Sequence, residues 1–426
     1  DSCSEFVKKG RIPRSGEAVV LLMAATTINY IDRQTLSVLA PLLQKELHIS
    51  SLEYSYAVNS FLVVYSVMYL LMGRILDRLG SRRGMAMAVI WWSMAEVLHG
   101  AAVGLKTLCL FRAMLAIGEA AIIPGGVKAV AEWFNPEQRG VAIGAFETGL
   151  SLGPILAPPL VVWIALRYSW REAFVWTGVM GLIWSTAWLL LYRAPAESNR
   201  GHDAGEDLTV APAAMNWADL FTAKKAWAVG LGRFFADPIW YFYLFWLPKY
   251  MADAKGLSIK VIGELAWIPY AASLLGSITG GAFSSWLVRR GTRPVKARLD
   301  ALLVGTILVT FGVLSVYLND IFWVMTVISL GAYAMQFWGG TLDTLPTDLF
   351  PSQQVAQVVG FGGLMGAMGG VLFTGFTGFV VTHYSYTPIW IASGMTYPLG
   401  LTIMYLLLRD TLNRDASQHG AKTPVV

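Results

Sequence analysis

Charged residues inside long apolar stretches are the feature of this sequence that could do chemistry. Asp32 and Arg33 are adjacent in one such stretch, and Arg112 and Glu119 share another. A charge at the middle of a bilayer costs about 2.5–3.5 kcal/mol even on lenient insertion scales, so each of these side chains should face the protein interior and have a partner or a task. Arginine grips carboxylates through paired hydrogen bonds, whereas a partly buried carboxyl can bind and release a proton. These residues therefore predict a site that handles an organic anion and a proton.

The composition indicates that lipid surrounds most of the chain. Of its 426 residues, 55% are hydrophobic and 14% are charged, and the mean hydropathy is +0.54, which is too apolar for an ordinary soluble protein. The net charge of +5 comes from short basic clusters between apolar stretches, a pattern that argues against nucleic-acid binding. The two cysteines, Cys3 and Cys109, are too far apart to suggest a disulfide framework or a thiolate metal site.

Two classes of activity lack a motif. The sequence contains no GxxxxGK[ST] phosphate loop, so ATP-driven transport is not supported. The five histidines are expected in loops or near helix ends, which leaves no constellation for a metal site or an enzyme. We expect no cofactor other than protons acting as the coupling ion.

Twelve stretches are long and apolar enough to be considered as spanning helices, which need about 20 residues each. They are numbered in chain order and predicted at α1 17–40, α2 55–76, α3 84–105, α4 107–131, α5 139–165, α6 172–191, α7 226–250, α8 260–287, α9 299–318, α10 321–345, α11 355–381 and α12 386–408. The predicted fold is an all-α integral membrane protein of two pseudo-symmetric six-helix bundles.

The only long polar stretch divides the chain into equal halves. We expect an N-terminal bundle with its tail at 1–191, a cytoplasmic linker at 192–225 and a C-terminal bundle with its tail at 226–426. Most lysines and arginines outside the helices then fall in the tails and in the loops on the side of the linker. Because basic residues favour the cytoplasmic side, both termini are expected there. No cleavable signal peptide is visible, so α1 is expected to remain in the membrane.

The loop after α2 carries glycine, aspartate and arginine at spacings that resemble the GxxxDRxGRR signature of the major facilitator superfamily. The matching residues are Gly73, Asp77, Arg78, Gly80, Arg82 and Arg83. The glycines permit a tight turn, the carboxylate can cap a neighbouring helix N-terminus, and the arginines anchor the cytoplasmic face. A generic basic loop is the alternative. The stretch from Gly281 to Arg290 after α8 is a degenerate echo, as an internal repeat would leave.

Further stretches are similar to the anion:cation symporter family within that superfamily, and to its bacterial hexuronate transporters more than to its galactonate transporters. They are Asn29 to Arg33, Gly118 to Gly125, Glu132 to Phe134 with Arg139, Ala157 to Trp163, and Arg233 to Trp240. The resemblance covers nearly the whole chain and is densest from α4 to α8. It implies transport of a sugar acid by alternating access of two bundles around a midplane site.

The resemblance also implies roles for the buried charges. At 1.5 Å per residue, Asp32 lies about 22 Å from the inner end of predicted α1 and Glu119 about 18 Å from that of α4. Arg112 precedes Glu119 by two turns and shares its helix face. Arg33 would hold the substrate carboxylate, Asp32 and Glu119 would carry the proton, and Arg112 would be their partner or contact the substrate. A static ion-pair network that pins α1 to α4 is the alternative.

Aromatic residues are candidates for contacts with a sugar. Tyr65 in α2 matches a tyrosine that the family uses for hydroxyl groups, although a tyrosine within a helix can also serve packing. Trp240 and Tyr241 in α7 could stack on a sugar face and donate to its hydroxyls, whereas aromatics near the outer end of a helix are usually interfacial anchors.

Several polar residues are candidates for coupling or gating. Glu147 in α5 stands where the hexuronate transporters have a neutral polar residue, and it could be a second proton site or a partner for a nearby base such as Lys128. Arg233 and Asp237 are four residues apart in α7 and could simply neutralise each other.

The C-terminal half departs from the galactonate pattern. The galactonate transporters have a tryptophan in α10, an asparagine in α11 and a glutamine in α5, where this chain has Asp343, Ala367 and Leu150. Gln336 and Thr344 in α10 are the substitutes that we predict for recognition of hydroxyls. Asp343 itself is a candidate for coupling or gating.

Together these features predict a proton-coupled importer of a hexuronate such as glucuronate or galacturonate. We expect a monomer in the bacterial inner membrane, in contact with lipid and a small organic anion and not with nucleic acid. Another organic anion, for example an aldonate such as galactonate, is the alternative within transport. A ligand sensor without flux, or an anion channel, is the alternative from another class.

Overall fold

The computed structural model describes residues 14–134, 136–192 and 217–420, and within these ranges all regular secondary structure is helical. The expected linker at 192–225 lies largely outside them. Its last part holds a short helix, Trp217–Thr222, which leads directly into the second half.

The first half contains six long helical segments, of which α4 and α5 are each interrupted once. They are α1 Arg14–Val38, α2 Ser51–Leu79, α3 Ser81–His99, α4 Leu105–Glu119 and Ile122–Trp133, α5 Pro136–Glu147 and Gly149–Arg167, and α6 Trp170–Leu191. A short helix, Ala40–Leu47, follows α1.

The second half repeats this plan, with interruptions in α8, α9 and α10. Its segments are α7 Lys224–Asp253, α8 Ile259–Leu265 and Trp267–Arg289, α9 Pro294–Thr310 with the 3₁₀ turn Phe311–Val316, α10 Ile321–Leu342 and Leu345–Leu349, α11 Ser352–His383, and α12 Thr387–Gly420.

Eight of these segments, α4 to α6 and α8 to α12, are long and apolar enough to cross a membrane by length and composition. The other four, α1, α2, α3 and α7, are 25, 29, 19 and 30 residues long. Two of these, α1 and α7, contain Arg33 and Arg233. Large apolar side chains cover the outside of the bundle, whereas Asp32, Glu96 and Arg112 are fully buried. This distribution is the reverse of that in a soluble protein and suits a lipid environment.

Local sequence signals explain where several helices start and stop. Ser50 and Glu53 form a reciprocal capping box at the start of α2. Gly80 has φ of +74°, a conformation that glycine adopts without strain, and it separates α2 from α3. The side chains of Ser169 and Asp320 accept backbone N–H groups at the starts of α6 and α10.

The helix pairs of the first half recur in the second. α1 packs on α5 as α7 packs on α11, α2 on α4 as α8 on α10, and α3 on α6 as α9 on α12. Small residues permit these approaches: a Cβ at Gly149 would lie 2.6 Å from a carbonyl oxygen of α1. The two halves are therefore pseudo-symmetric bundles of six helices each.

The halves contact each other at the end of the molecule where α1 passes into α2, which we name the α1–α2 end. There the Tyr54 hydroxyl of α2 donates to the Phe245 carbonyl of α7 at 2.7 Å, and its ring meets Trp246 edge to face. Ser55 is fully buried and fills the space beside Gly378 of α11. The opposite end, which contains the turn at Gly80, is named the α2–α3 end.

Candidate functional site

An ion pair between α1 and α4 forms the centre of the candidate site. Arg33 Nε and Nη2 both donate to Glu119 Oε2, at 3.0 and 2.8 Å, and Nη2 also lies 3.4 Å from Asn29 Oδ1. Both side chains are almost completely buried. A guanidinium and a carboxylate held in this way strongly stabilise each other, because neither has water as an alternative partner.

Aromatic rings enclose the Arg33 guanidinium. Its central carbon lies 4.6 Å from the ring centre of Tyr30, 5.0 Å from that of Phe61 and 4.8 Å from that of Tyr65. The guanidinium carbon of Arg112 lies 4.7 Å from the centre of the same Phe61 ring. These faces are electron-rich and favour a cation, so they hold the arginines in position even when a carboxylate partner leaves.

Two neighbouring cavities lie between the halves, next to this cage. One, of about 230 Å³, is lined by Tyr30 together with residues of α7, α10 and α12. The other, of about 200 Å³, is lined by Tyr65 together with residues of α2, α4, α7 and α11. Arg233, Asp237 and Tyr241 border both cavities. Arg33 thus lies directly behind the tyrosines that face the open space.

A second charged group forms the opposite wall. Arg233 of α7 contacts Asp237 one turn later at 3.4 Å and is also paired with Asp343 at the end of the first segment of α10. The side chains of Arg233 and Asp237 are about a quarter exposed, at 24% and 25%. The pairing predicted within α7 is present, and the pairing with Asp343 additionally links α7 to α10.

Most residues predicted to contact a substrate border this space. Trp240, Tyr241 and Gln336 line the first cavity and Tyr65 the second. Thr344 lies at the interruption of α10, where its hydroxyl donates to the Thr341 carbonyl at 2.7 Å, and the described lining of neither cavity includes it.

Asp32 faces away from the cavities, although it is next to Arg33 in sequence. It is fully buried against α3 and α6, where Trp92 and Thr177 approach it. Arg112 is likewise fully buried and lies on this side, close to Glu96. The predicted charged residues of α1 and α4 therefore form two groups. The front group, next to the cavities, contains Arg33 and Glu119, and the rear group behind it contains Asp32 and Arg112.

Sequence reasoning missed the α3 members of the rear group. Glu96 and His99 have no exposed surface, and His99 stacks on Phe174 with ring centres 5.1 Å apart. Glu96 lies at the middle of the predicted span 84–105 but was not singled out, and His99 was expected only to lie in a loop or near a helix end. The signal that could have found them is their three-residue spacing, which puts both on one helix face.

Glu147 lies at the interruption of α5 and is half-buried. Its carboxyl is near enough to Asp343 of the other half for the two like charges to repel each other, and the sequence did not suggest this neighbour. The Lys128 ammonium, which was considered as a partner for Glu147, donates to the Leu76 carbonyl at 3.0 Å.

The signature loop between α2 and α3 joins three helices. Arg82 donates to the carbonyl of Leu189 in α6, and the Trp188 indole donates to the Arg82 carbonyl at 3.0 Å. Arg78 and Arg83 are exposed, and Gly73 has open space around its Cα. The side chain of Asp77 lies outside the described residues, so its expected capping role stays a prediction.

Comparisons with known proteins agree with this architecture. The family model described as Major Facilitator Superfamily matches residues 22–374. The hexuronate transporter of Escherichia coli (strain K12) is 30% identical, over 94% of this chain and 98% of that protein. The galacturonate transporter of Dickeya chrysanthemi is 35% identical over 61% of this chain and 79% of that protein. A D-galactonate transporter of Escherichia coli O6:H1 is 28% identical over 92% and 95%.

A solved structure shows the same fold. It is a bacterial homologue of the human lysosomal transporter Spinster in an inward-facing and occupied conformation, with a TM-score of 0.77 and 17% identity, covering 94% of this chain and 98% of that one. At that identity the likeness concerns the fold alone. With a family model that matches most of its length, the chain is a membrane transporter rather than an enzyme, and it belongs to the major facilitator superfamily.

Proposed function

We propose that this protein imports a sugar acid together with a proton, and that the sugar acid is a hexuronate such as glucuronate or galacturonate. The observation that carries the proposal is the pair between Arg33 and Glu119. A protein carboxylate accepts from two nitrogens of a buried guanidinium beside an open cavity, which is the position that a substrate carboxylate would need.

Competition for Arg33 couples the anion to the proton. A substrate carboxylate that takes the Arg33 donors displaces Glu119, which would leave a buried carboxylate without its partner. Leaving such a charge unpaired costs several kcal/mol, so Glu119 takes up a proton instead. When the substrate leaves, Glu119 returns to Arg33 and releases the proton.

The cavity walls suit a polyhydroxylated anion. Trp240 offers an aromatic face, and Tyr65, Tyr241 and Gln336 offer donors and acceptors at its edge. Relatives named as hexuronate and galacturonate transporters, at 30% and 35% identity, support a hexuronate. The relative named as a D-galactonate transporter, at 28% identity, makes an aldonate the second candidate.

The predicted orientation gives this mechanism a direction. The basic loops of the α2–α3 end would lie in the cytoplasm of a bacterial cell, with both termini. The halves contact each other at the α1–α2 end, so the cavities would open inward and substrate would leave there. Alternating access then requires that the contact of Tyr54 breaks in each cycle.

Uptake into liposomes tests the substrate assignment. Purified protein is reconstituted and given labelled glucuronate, galacturonate, galactonate and a dicarboxylate, with and without an inward proton gradient. We expect hexuronates to accumulate against their concentration gradient only when the proton gradient is present. Flux that merely equilibrates would identify a channel, and if no sugar acid enters or competes, the proposal is wrong.

Glu119→Gln tests the coupling. The amide can neither hold Arg33 as a carboxylate does nor carry a proton, so we expect exchange of labelled for unlabelled hexuronate to continue while acid-driven accumulation is lost. Glu264→Gln makes the same chemical change at an exposed carboxyl and should leave both rates as in the wild type. Unchanged acid-driven accumulation by Glu119→Gln would contradict a proton role for this residue.

A further inference from the structure

The rear group of charges contains two carboxyls, those of Asp32 and Glu96, that the mechanism proposed above does not use. Asp32 of α1, Glu96 of α3 and Arg112 of α4 are all fully buried. Several of their polar atoms have no hydrogen-bond partner of normal geometry in the described part of the chain. These atoms are both carboxylate oxygens of Asp32, Oε2 of Glu96 and all three guanidinium nitrogens of Arg112. Such groups are costly unless their charges balance.

The Thr177 hydroxyl of α6 connects the two carboxyls. It lies 3.3 Å from Glu96 Oε1 and also approaches the Asp32 carboxyl. A hydroxyl can donate to one carboxyl and accept from the other, so a proton can pass between them without crossing the cavity.

His99 closes the group on the side of the α1–α2 end. Its Nδ1 lies 2.8 Å from the Ala95 carbonyl, which can only accept, so Nδ1 carries a hydrogen. The same nitrogen is 3.7 Å from Glu96 Oε2. The other ring nitrogen of His99, Nε2, has no hydrogen-bond partner among the described residues. The charged and titratable side chains that face Glu96 are thus Asp32, His99, Arg112 and Glu119.

Charge balance assigns a proton to this group. Arg33 is taken by Glu119, which leaves Arg112 as the single guanidinium for two carboxyls. Two carboxylates and one guanidinium carry a net charge of minus one, and a buried, water-free site disfavours that charge. Like-charged carboxyls that share a site hold a proton between them.

We propose that Glu96 is a third proton-binding carboxyl of this transporter, which shares one proton with Asp32 through Thr177 behind the substrate site. This inference rests on the proposed proton-coupled import and adds a resident proton to it. Glu119 exchanges its proton in each cycle, whereas the pair of Asp32 and Glu96 keeps its proton until the pH is high enough to remove it.

Infrared spectroscopy can detect the resident proton. A protonated carboxyl has a C=O stretching band that a carboxylate lacks, so difference spectra of the purified protein without substrate are recorded between neutral and high pH. In the wild type we expect the loss of one protonated-carboxyl band as the pH rises and the resident proton dissociates. Glu96→Gln should not show this loss, because Arg112 then balances Asp32 alone and the group holds no proton.

Other variants separate the two ideas. Glu119→Gln should still show the loss of this band, because its carboxyl is not part of the pair, and Glu264→Gln, at an exposed carboxyl, should match the wild type. Glu96→Asp keeps a carboxyl, so it should retain the loss at a shifted pH, which also serves as the test if Glu96→Gln does not fold. If calorimetry shows that wild-type protein binds no sugar acid, the proposed function fails. If it binds a sugar acid with uptake of a proton and Glu96→Gln still shows the loss of the band, the assignment of Glu96 is wrong.

Discussion

Two adjacent residues of α1 belong to different parts of the protein. Consecutive helical residues point about 100° apart, so Arg33 reaches forward to the aromatic cage while Asp32 points back toward α3 and α6. A carboxylate beside Arg33 in sequence is therefore not its ion-pair partner. Glu119, 86 residues later, is.

The geometry of the Arg33 pair predicts that a lysine cannot replace the arginine. Arg33→Lys keeps the positive charge but loses the planar fork of N–H donors that binds a carboxylate at two nitrogens, and it loses the flat contacts with the tyrosines. We expect glucuronate to bind at least about tenfold more weakly, or about 1.4 kcal/mol, as measured by calorimetry. Arg167→Lys, at an exposed arginine, is the matched control. Equal affinities for the wild type and Arg33→Lys would show that substrate does not bind through this guanidinium.

The sequence indicated which charges are buried but not how they are paired. Length and polarity were enough to single out Arg33, Arg112 and Glu119, since any charge within an apolar span needs a task. The partner of each depends on contacts between distant helices, which periodicity cannot report. Glu96 was missed although it lies at the middle of the predicted span 84–105, where the same rule applies. In the structure it lies three residues before the end of α3 and is fully buried.

At the scale of elements, glycines of α11 determine how closely it packs on α7. A Cβ at Gly366 would overlap the Asp237 carboxylate, and one at Gly370 would collide with the Tyr241 ring. Asp237 and Tyr241, which border both cavities, can therefore occupy these positions only because the facing residues of α11 have no side chain. Glycine recurs every four residues in α11, at Gly362, Gly366 and Gly370, and these contacts show that the recurrence permits close helix packing.

A methyl group on α11 should therefore disturb the α7 wall. Gly366→Ala forces Asp237 away from Arg233 or the helices apart, and overpacking of this kind costs about 1–3 kcal/mol. We expect a lower midpoint in thermal unfolding and slower hexuronate exchange. Gly363→Ala is the control on the same helix, because a Cβ there meets nothing within 4 Å. Similar losses in both variants would mean that α11 tolerates no side chain for reasons unrelated to Asp237.

Loss of Arg233 should destabilise the protein more than loss of Asp343, its partner in α10. Arg233→Ala leaves Asp237 and Asp343 without their shared cation, at a cost of about 2 kcal/mol or more. Asp343→Asn still leaves Arg233 paired with Asp237, and its side chain is 57% exposed, so the loss should be below about 1 kcal/mol. Exchange rates and unfolding midpoints of both variants measure this order, and the reverse order would contradict the described pairing.

The arrangement of helices was largely predictable. All twelve expected stretches correspond to long helical segments, because a span needs about 20 mostly apolar residues. The interruption at 120–121 in α4 comes directly after Glu119 and one turn before Pro124. A proline lacks the N–H that would bond to the carbonyl four residues earlier, so the sequence contains the cause of this interruption, although no interruption was predicted. Beside it, Gly118 packs against the backbone of α3, where a Cβ would lie 2.8 Å from the Ala88 carbonyl oxygen.

At the scale of the whole molecule, the two halves share few polar contacts at the α1–α2 end that could keep it closed. The hydrogen bond from Tyr54 to the Phe245 carbonyl is fully buried and exists only while the halves touch. A buried hydrogen bond contributes about 1 kcal/mol net, which corresponds to about a fivefold change in the ratio of the two conformations. Removal of this hydrogen bond should therefore change the ratio of the two conformations measurably without stopping the transport cycle.

Tyr54→Phe removes the hydroxyl but keeps the ring against Trp246, so the α1–α2 end should open about fivefold more often. Two single cysteines report this in a background in which Cys3 and Cys109 are serine. Ser55→Cys, buried between α2 and α11, should react about fivefold faster with an impermeant maleimide applied from that end. Ser66→Cys lines a cavity and should react more slowly from the opposite end. Because opening one end closes the other in alternating access, the two rates must change in opposite directions. A rise at both positions would indicate that Tyr54→Phe loosens the protein instead of shifting it between two conformations.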